Sequence, residues 1–541
     1  MTVVMQEFPL TVGKILDHAA KYHPNRKIIS RSVEGPITQT NWSNVHRQAK
    51  KLSQVLISLG IQTGDVIGVM AWNTARHFEV WYGIPGAGAV NHTLNPRLFA
   101  DQIVYIINHA EDRFLMIDFD LIPIIENIWE RLETVEKVIV MTDRDHMPES
   151  SIPDLLCYEE LLEKQDGNFD WVEVEETAPC GICYTSGTTG APKGVVYTHR
   201  SNTLHAMASS VPDMLGLSSN DTVMPVVPLF HANGWSIGYT APMVGCSMVM
   251  PGRDMSSEAL YEMLEFGVTF TAAVPTIWML MLQHLQNNNL TLPTLERVII
   301  GGASCPRAVI ETFQNDYGVQ VLHAWGMTEM SPLGTICTFK PEVTALDGPG
   351  RLDAQSTTGH PPFTVDLRIT DDAGIELPWD DKTPGKLWAK GAAVVQRYLK
   401  QDTDAVDKDG WFDTGDVATI DENGYVRITD RSKDVIKSGG EWISSISLEN
   451  AAVAHADVAE AAAIGIAHPK WGERPILVIV AMPDKKPDPQ DILDLVGKSF
   501  AKWQVPDDVI FMDELPHTAT GKISKLELRK ILRKQGYKLP Q

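Results

Sequence analysis

The sequence predicts an α/β fold: a large N-terminal domain of mixed and parallel sheets covered by helices, a β-rich subdomain, and a small α+β C-terminal domain. Short apolar segments of strand length alternate with segments of helix length between Val66 and Ala324. From Gly385 this alternation is replaced by short β-rich segments with acidic turns, and a smaller α+β pattern with basic ends follows Asp430. A chain of 541 residues is also too long for a single hydrophobic core.

The elements follow in order from the N-terminus. Thr11 is expected to cap a helix that runs to about Tyr22 with its apolar residues on one face. Short apolar runs then predict strands at 66–70, 138–141, 180–185, 222–228, 247–250, 269–274, 298–300 and 319–324. Because helix-length segments separate these runs, parallel pairing is expected, with ligands bound beyond the carboxyl ends of the strands.

The balance of charged residues indicates which classes of binding partner to expect. Lysine and arginine together number 46, aspartate and glutamate 69, and the formal net charge is −23. This balance gives no reason to expect nucleic-acid binding, so an anionic ligand must meet lysine and arginine side chains placed locally.

No membrane segment is expected. The most apolar stretch, Val268–Leu285, is interrupted by Pro275 and His284, and reads as a strand, a proline turn and a buried helix. The first nine residues include Glu7 and lack the apolar core of a secretory signal. A cytoplasmic protein that does not enter membranes is therefore expected.

Cys180 and Cys183 form a C-x-x-C pair, which allows two interpretations. A redox or zinc site is one, although a zinc site needs further ligands at matching spacing, which this neighbourhood lacks. Packing in a buried strand is the other, and it is favoured because the pair lies on the apolar segment that enters the next loop.

The loop that follows this strand predicts a polyphosphate site. Small residues let backbone N–H groups approach an anion closely, hydroxyl groups add donors, and a lysine adds positive charge. The loop differs from the pattern G-x-x-x-x-G-K-[ST] because Pro192 replaces its second glycine. A flexible surface turn is the alternative interpretation. The predicted phosphate-binding residues are Thr185, Ser186, Gly187, Thr188, Thr189, Gly190 and Lys193.

This loop resembles the ATP-binding signature of the AMP-forming adenylating enzymes, which include acyl-CoA synthetases, peptide-synthetase adenylation domains and luciferases. Further stretches match in the family's order, and the resemblance spans residues 10–530. They are Pro228–His231, Gly301–Ala303, His323–Glu329, Gly385–Trp388, Trp411–Asp416, Asp430–Asp434, Ser438–Trp442 and Thr520–Lys522. The resemblance implies ATP, Mg²⁺ and CoA as cofactors and substrates, and a homodimer.

The resemblance also implies roles for single residues. Glu329 would bind the magnesium ion with Thr185 nearby, and Thr328 would bind the α-phosphate. Asp416 would accept both ribose hydroxyls and Arg431 would add a second contact. The strand ends that would line the nucleotide site comprise Gly302, Ala303, His323, Ala324, Trp325, Gly326 and Met327.

Two residues near the predicted acyl-binding site each allow two interpretations. His231 lies at the family's carboxylate-side position, but a histidine after an apolar strand is often structural. Trp235 resembles the aromatic wall of an acyl pocket, and core packing is its alternative.

Two states of the chain are implied by the resemblance. Lys522 would bridge the carboxylate and the α-phosphate during adenylation, and Lys433 would be the hinge of a small mobile domain. The implied parts are residues 1–430, a hinge at 431–434, and a mobile domain at 435–541. The loop implied to line the CoA tunnel comprises Lys437, Ser438, Gly439, Gly440, Glu441 and Trp442.

The acyl substrate implied by the resemblance is a short- or medium-chain carboxylic acid, 3-methylmercaptopropionate, with fatty acids of similar length as the alternative. Two other classes are distinguishable. A luciferase-like enzyme would emit light with its substrate. A non-catalytic nucleotide-binding relative would have lost Glu329 or Lys522, and both are present.

Overall fold

The computed structural model describes residues 5–185, 191–439, 441–517 and 523–540. The chain divides into two compact units. Unit 1 comprises Met1–Thr185, Pro192–Asp366 and Lys390–Gly410, and unit 2 comprises Ser186–Ala191, Leu367–Ala389 and Trp411–Gln541.

The elements alternate between strands and helices through unit 1. The α-helices are α1 Gly13–Tyr22, α2 Trp42–Ser58, α3 Ala75–Gly86, α4 Ala100–Ala110, α5 Ile122–Glu126, α6 Tyr158–Glu163, α7 His199–Ser210, α8 Ile237–Val244, α9 Ser257–Leu264, α10 Pro275–Asn288, α11 Arg307–Tyr317, α12 Pro341–Thr344, α13 Gly348–Gln355, α14 Ser445–Val453, α15 Pro489–Gly497 and α16 Lys525–Lys534. The strands are β1 Lys27–Arg31, β2 Ile37–Asn41, β3 Val66–Met70, β4 Val90–Thr93, β5 Asp112–Ile117, β6 Lys137–Val140, β7 Leu156–Cys157, β8 Pro179–Tyr184, β9 Gly194–Thr198, β10 Thr222–Pro225, β11 Ser247–Met250, β12 Phe270–Ala273, β13 Arg297–Gly301, β14 Gln320–Gly326, β15 Leu333–Ile336, β16 Val365–Thr370, β17 Gly385–Gly391, β18 Phe412–Ile420, β19 Val426–Arg431, β20 Ile436–Ser438, β21 Glu441–Ile443, β22 Val458–His468, β23 Gly472–Ala481 and β24 Val509–Phe511.

Two large sheets form unit 1. The first has the strand order β7-β6-β5-β3-β4-β8-β9, and all of its pairs are parallel except β8 with β9. The second has the order β15-β14-β13-β12-β10-β11-β1-β2, with parallel pairs in the centre and antiparallel pairs at both edges. Covering helices bury both faces of such sheets, which explains the nearly continuous apolar strands of this sequence.

Helices α10 and α11 cover the second sheet through large aromatic side chains. Trp278 and Phe313 are fully buried and meet edge to face, with their ring centroids 5.8 Å apart. The Trp278 indole N–H donates to the carbonyl of Ile299 on β13, at 3.3 Å. The indole thus buries a large apolar surface without leaving its polar atom unpaired.

Asn73, three residues beyond the end of β3, joins the carboxyl ends of the two sheets. Its buried amide nitrogen donates to the carbonyls of Pro225 (2.7 Å) and Val227 (2.9 Å), and its oxygen accepts from the N–H of Leu229 (2.8 Å). Its own carbonyl accepts from the N–H of Gly252, just after β11, at 3.0 Å. One side chain therefore holds together the carboxyl ends of strands in both sheets, and ligands of parallel sheets bind beyond such ends.

Unit 2 contains a four-stranded sheet in the order β16-β17-β18-β19 and a second sheet in the order β21-β20-β23-β22, with β24 beside β23. Strands β22 and β23 form a long antiparallel hairpin whose apolar face packs on α14. On its other face the hairpin carries a second apolar cluster that includes Leu528 and Leu532 of α16. These two layers are the predicted small α+β domain.

The predicted fold class is confirmed. Two details differ from the sequence expectations. Helix α1 begins at Gly13 with Val12 as its N-cap, and the N–H of Thr11 instead donates to Pro9 in a turn, so Thr11 is not the cap. The predicted strands of unit 1 also did not include β1, β2, β4, β5, β7, β9 and β15. The segment around Pro275 does form a strand, a proline turn and a helix, as expected.

Cys180 and Cys183 are buried free thiols on β8. Burial raises the pKa of Cys180 to about 12 and that of Cys183 to about 11, so both stay protonated at neutral pH. These properties support their interpretation as packing residues. Over the described ranges, no helix is long and apolar enough to cross a bilayer.

Asn73→Ala should destabilise unit 1 by about 3 kcal/mol, because three buried backbone groups lose their partner. Asn108→Ala is the matched control. The Asn108 amide also bonds two backbone groups, the carbonyl of Arg131 and the N–H of Glu133, but at an exposed site. Thermal unfolding should show a clearly lower midpoint only for Asn73→Ala, and equal shifts in both variants would contradict the role assigned to Asn73.

Candidate active site

A β-hairpin frames the predicted phosphate loop. Strands β8 and β9 pair antiparallel, with Tyr184 opposite Gly194. At the neck, the N–H of Thr185 donates to the carbonyl of Lys193 (3.0 Å) and the N–H of Lys193 donates to the Thr185 hydroxyl (3.2 Å). Ser186, Gly187, Thr188, Thr189 and Gly190 lie outside the described residues, so their predicted role remains a prediction. The neck fixes where the loop leaves and rejoins the sheet.

The turn that carries Thr328 and Glu329 follows β14 directly. Both side chains are buried. The N–H of Met327 donates to the carbonyl of Pro332 at 2.9 Å, which closes the turn. The hydroxyl of Tyr197, on β9 of the hairpin, donates to the carbonyl of Thr328 at 2.8 Å. The hairpin and the turn are therefore held against each other.

Tyr398 contacts both parts of this arrangement. Its hydroxyl donates to Oε1 of Glu329 at 2.8 Å, and the ammonium of Lys193 lies 4.8 Å from the centroid of its ring. Burial, and then the negative charge of Glu329, raise the pKa of Tyr398, so its hydroxyl stays a donor across the physiological range. Sequence reasoning missed Tyr398, because only its place between the matching stretches 385–388 and 411–416 could have drawn attention to it.

The donor set at this position fits a magnesium ion held partly by a phosphate. Glu329 offers a carboxylate and Thr185 a hydroxyl, which are hard oxygen ligands. In the part of the chain that the structure describes, no group of three or more His, Cys, Asp and Glu side chains is arranged to hold a metal ion. Mg²⁺ commonly takes only one or two ligands from the protein and the others from phosphate and water, so a carboxylate and a hydroxyl are compatible with it.

The ends of β13 and β14 bring the predicted nucleotide-lining residues to one edge. Gly301 pairs with Ala324, and the chain then turns through Gly302, whose φ of +80° favours glycine. Gly302 and Ala303 are exposed at this edge, whereas Ala324 is buried. The structure thus places Gly302 and Ala303 beside the end of β14.

His323 and Trp325 are buried on β14. Nδ1 of His323 donates to the carbonyl of Thr357 at 2.9 Å. The indole of Trp325 covers Gly334 of β15 so closely that a Cβ there would lie 2.4 Å from the ring. Both side chains therefore brace the strand from within. Their contact with a nucleotide remains a prediction.

Trp235 lies at the same strand edge. Its ring packs on Gly301, where an added Cβ would lie 3.2 Å from Cη2. The residue belongs to a left-handed turn, because φ is positive at every position from Ala232 to Ser236, between 44° and 64°. Such a run is costly for L-residues. A buried hydrogen bond of 2.8 Å from Asn233 to Asn202 helps to hold it.

His231 precedes this left-handed turn and is half-buried. Its N–H donates to the carbonyl of Pro228 at 3.1 Å, and its carbonyl accepts from the N–H of Gly234 at 3.0 Å. The backbone of His231 thus helps to form the turn that presents Trp235. The role of the His231 side chain toward a carboxylate remains a prediction.

In unit 2, Asp416 and Arg431 form an ion pair on neighbouring strands. They are directly paired in the β18–β19 register, and Nε of Arg431 lies 2.8 Å from Oδ1 of Asp416. Asp416 is almost fully buried while Arg431 is largely exposed. A carboxylate can accept several hydrogen bonds, so Asp416 can bind ribose hydroxyls while it stays paired with the guanidinium.

The predicted hinge segment is anchored on its C-terminal side. Arg529 of α16 forms an ion pair with Asp434 (2.6 Å) and donates to the carbonyl of Lys433 (3.3 Å). The buried carboxylate of Asp430 accepts from the N–H and the hydroxyl of Ser445, at the start of α14. Within unit 2 these contacts tie residues 430–434 to α14 and α16.

The predicted CoA loop is the tip of the β20–β21 hairpin, where Lys437 pairs with Trp442 and Ser438 with Glu441. The ammonium of Lys437 lies 5.7 Å from the ring centroid of Trp442. Gly439 has a φ of +64° and donates to the carbonyl of Trp471 at 2.7 Å. Gly440 and Lys522 lie outside the described residues.

Sequence profiles of two family domains match the chain. The one described as AMP-binding enzyme matches residues 16–399, and the one described as AMP-binding enzyme C-terminal domain matches residues 447–522.

Curated relatives match over nearly the whole length. A 3-methylmercaptopropionyl-CoA ligase of Ruegeria lacuscaerulensis is 47% identical over 97% of this chain and 98% of its own. A medium-chain-fatty-acid–CoA ligase of Ectopseudomonas oleovorans is 42% identical over 97% of this chain and 96% of its own.

Solved structures share the fold. The anthranilate CoA ligase in complex with anthranoyl-AMP superposes with a TM-score of 0.86, at 23% identity, over 98% of this chain and 99% of that one. The o-succinylbenzoate CoA synthetase of Bacillus subtilis, in complex with ATP and a magnesium ion, gives 0.78 at 23% identity over 95% and 99%.

Gly326→Ala should displace the turn that carries Glu329. An added Cβ would lie 2.2 Å from the carbonyl oxygen of Pro332, and this overpacking should cost about 1–3 kcal/mol. Gly181→Ala on β8 is the control, because its Cβ would meet its nearest neighbour at 3.6 Å. Thermal unfolding of both variants tests this expectation, and a Gly326→Ala protein as stable as Gly181→Ala would refute it.

Proposed function

Because the chain belongs to the AMP-binding enzyme family, we propose that it is an acid–thiol ligase, which joins a carboxylic acid to CoA with ATP as the energy source. The observation that carries this proposal is the cluster at the hairpin neck. There Glu329, Tyr398 and Lys193 place a carboxylate, a neutral donor and an ammonium beside the start of a loop of small and hydroxyl residues. This combination suits a polyphosphate with its counterion.

The reaction proceeds in two steps. A carboxylate oxygen of the acid attacks the α-phosphorus of ATP, the bond to the β-phosphate breaks, and pyrophosphate leaves an acyl-adenylate behind. The thiol of CoA then loses its proton and attacks the acyl carbonyl, and AMP leaves with the bonding electrons. The first step converts a poor leaving group into a good one, since a free carboxylate does not react with a thiol.

The chain's own residues bind and orient the reactants of the first step. Lys193 balances phosphate charge at the neck, and Thr328 donates to the α-phosphate. Glu329 and Thr185 would hold the magnesium ion, which would neutralise phosphate charge. Asp416 and Arg431 bind the ribose, and Gly302 and Ala303 line the adenine. His231 and Trp235 adjoin the acyl group.

The second step uses a different set of residues. The loop from Lys437 to Trp442 lines the path of CoA, whereas Lys522 serves the first step. Rotation of residues 435–541 about the hinge at 431–434 brings each set to one site in turn, with residues 1–430 as the fixed part. The contacts of Arg529 with Lys433 and Asp434 support this division, because they bind the end of the hinge segment to α16.

We assign 3-methylmercaptopropionate as the acyl substrate. Two curated relatives with that name, from Ruegeria lacuscaerulensis and Ruegeria pomeroyi, are 47% and 46% identical to this chain. A fatty acid of short or medium length is the second candidate, favoured by the medium-chain ligase at 42% identity. A cytoplasmic homodimer completes this proposal. It is supported by the family resemblance, and sedimentation of the purified protein tests the dimer.

Pyrophosphate release should be fastest with short unbranched acids. We expect 3-methylmercaptopropionate and butyrate to give higher specificity constants than palmitate, and to give acyl-CoA only when CoA is present. Each methylene changes discrimination by only about 1–3 kcal/mol, so several chain lengths should react. A higher specificity constant for palmitate would contradict the assigned substrate, and no release with any acid would contradict the ligase.

Lys522→Ala should separate the two steps. Loss of one preorganised cationic donor should slow adenylate formation by about 10²–10³-fold and leave the conversion of preformed acyl-adenylate and CoA unchanged. Lys530→Ala is the control, an exposed lysine of α16 paired with Glu527. Single-turnover assays of each step decide the matter, and equal loss of both steps in Lys522→Ala would exclude domain alternation.

A further inference from the structure

The segment from Val395 to Leu399 is bound to both halves of the neck region. The N–H of Val395 donates to the carbonyl of Glu329, and the N–H of Leu399 donates to the carbonyl of Gly194 on β9, both at 2.8 Å. An added Cβ at Gly194 would lie 3.0 Å from Cβ of Leu399, so the two backbones approach closely. Tyr398 is one of the three residues between these two bonds and directly precedes Leu399, so the backbone fixes its position.

The side chain of Tyr398 uses this placement in two ways. Its hydroxyl donates to Glu329 at 2.8 Å, and one face of its ring lies 4.8 Å from the ammonium of Lys193. A hydrogen bond orients a carboxylate, and the face of an aromatic ring attracts a cation. One half-buried ring therefore sets the positions of a negative and a positive group together.

We propose that Tyr398 is a positioning residue that holds Glu329 in the orientation for a magnesium ion and Lys193 in the position for a phosphate. The inference deepens the proposed function and rests on it. In this role Tyr398 acts through Glu329 and Lys193. Its hydroxyl governs the metal-dependent part of ATP binding, and its ring governs the part that Lys193 supplies.

Two substitutions separate the two contacts. Tyr398→Phe removes the hydroxyl and keeps the ring, whereas Tyr398→Leu removes both. Tyr158→Phe is the matched control, because the hydroxyl of Tyr158 on α6 donates at the same distance, 2.8 Å, to the carboxyl of Glu79 on α3. Tyr158 is fully buried, so its variant reports what the loss of such a bond does to stability alone.

ATP is titrated into each protein by calorimetry, once with Mg²⁺ and once with EDTA. The two titrations separate the metal-dependent part of ATP binding from the part that Lys193 supplies. Tyr398→Phe should raise the Kd for ATP by about 10-fold in Mg²⁺, as the loss of a group that orients a metal ligand commonly does. It should leave the Kd in EDTA unchanged. Tyr398→Leu should raise both constants, and Tyr158→Phe neither. Of the two Phe variants, only Tyr398→Phe should need a higher Mg²⁺ concentration for half-maximal pyrophosphate release.

Two results would overturn the proposal. One is a Tyr398→Phe protein with the wild-type Kd in Mg²⁺, and the other is equal weakening with and without the metal, which marks a structural role only. Failure of the proposed function is a different outcome. In that case the wild-type protein releases no pyrophosphate with any acid, while the titrations still report whether Tyr398 controls metal-dependent ATP binding.

Discussion

The hydrogen bonds of Asn73 fix the relation of the two large sheets, and the arrangement of unit 1 depends on that relation. Parallel sheets offer binding positions beyond their carboxyl ends, but two sheets form one site only if those ends stay adjacent. Three buried bonds of a single amide hold the chain just after β3 to the last residue of β10 and to the segment that follows it. Because each group is buried, the polar contact is specific in a way that apolar packing alone is not.

At the neck of the hairpin, two tyrosines hold the turn that carries Glu329. Tyr197 and Tyr398 come from distant parts of the chain. The hydroxyl of Tyr197 donates to the carbonyl of Thr328, and that of Tyr398 donates to the carboxylate of Glu329 in the same turn. The turn is further restricted by Gly326, which leaves no room for a side chain. A site preorganised in this way need not reorganise when charge develops during a reaction.

In unit 2, an ion pair holds two of the predicted site residues, Asp416 and Arg431. Asp416 is buried but paired with the exposed Arg431, so its negative charge is compensated without the loss of its remaining acceptor capacity. Around the predicted hinge, Arg529 of α16 forms an ion pair with Asp434, and Ser445 of α14 donates to Asp430. Asp430, Lys433 and Asp434 therefore have polar partners on α14 and α16, whereas Arg431 is paired with Asp416 on β18.

Local patterns in the sequence were enough to predict the fold class, and they also pointed to most residues of the candidate site, whose roles remain predictions. Apolar runs predict buried parallel strands, and a run of small and hydroxyl residues before a lysine predicts an anion site. Strand β4 was missed because its sequence, VNHT, is not an apolar run. The structure buries His92 there, with Nδ1 at 2.8 Å from the buried carboxylate of Asp112 on β5.

How these groups are held depends on contacts between distant parts of the chain. Asn73 bonds Pro225 across 152 positions of sequence, and Tyr398 bonds Glu329 across 69. No periodicity or spacing encodes such contacts, because they depend on which strand ends become neighbours after the sheets form. The sequence therefore specified the chemistry of the site through its residue types, and long-range packing specified which asparagine and which tyrosine keep those residues in place.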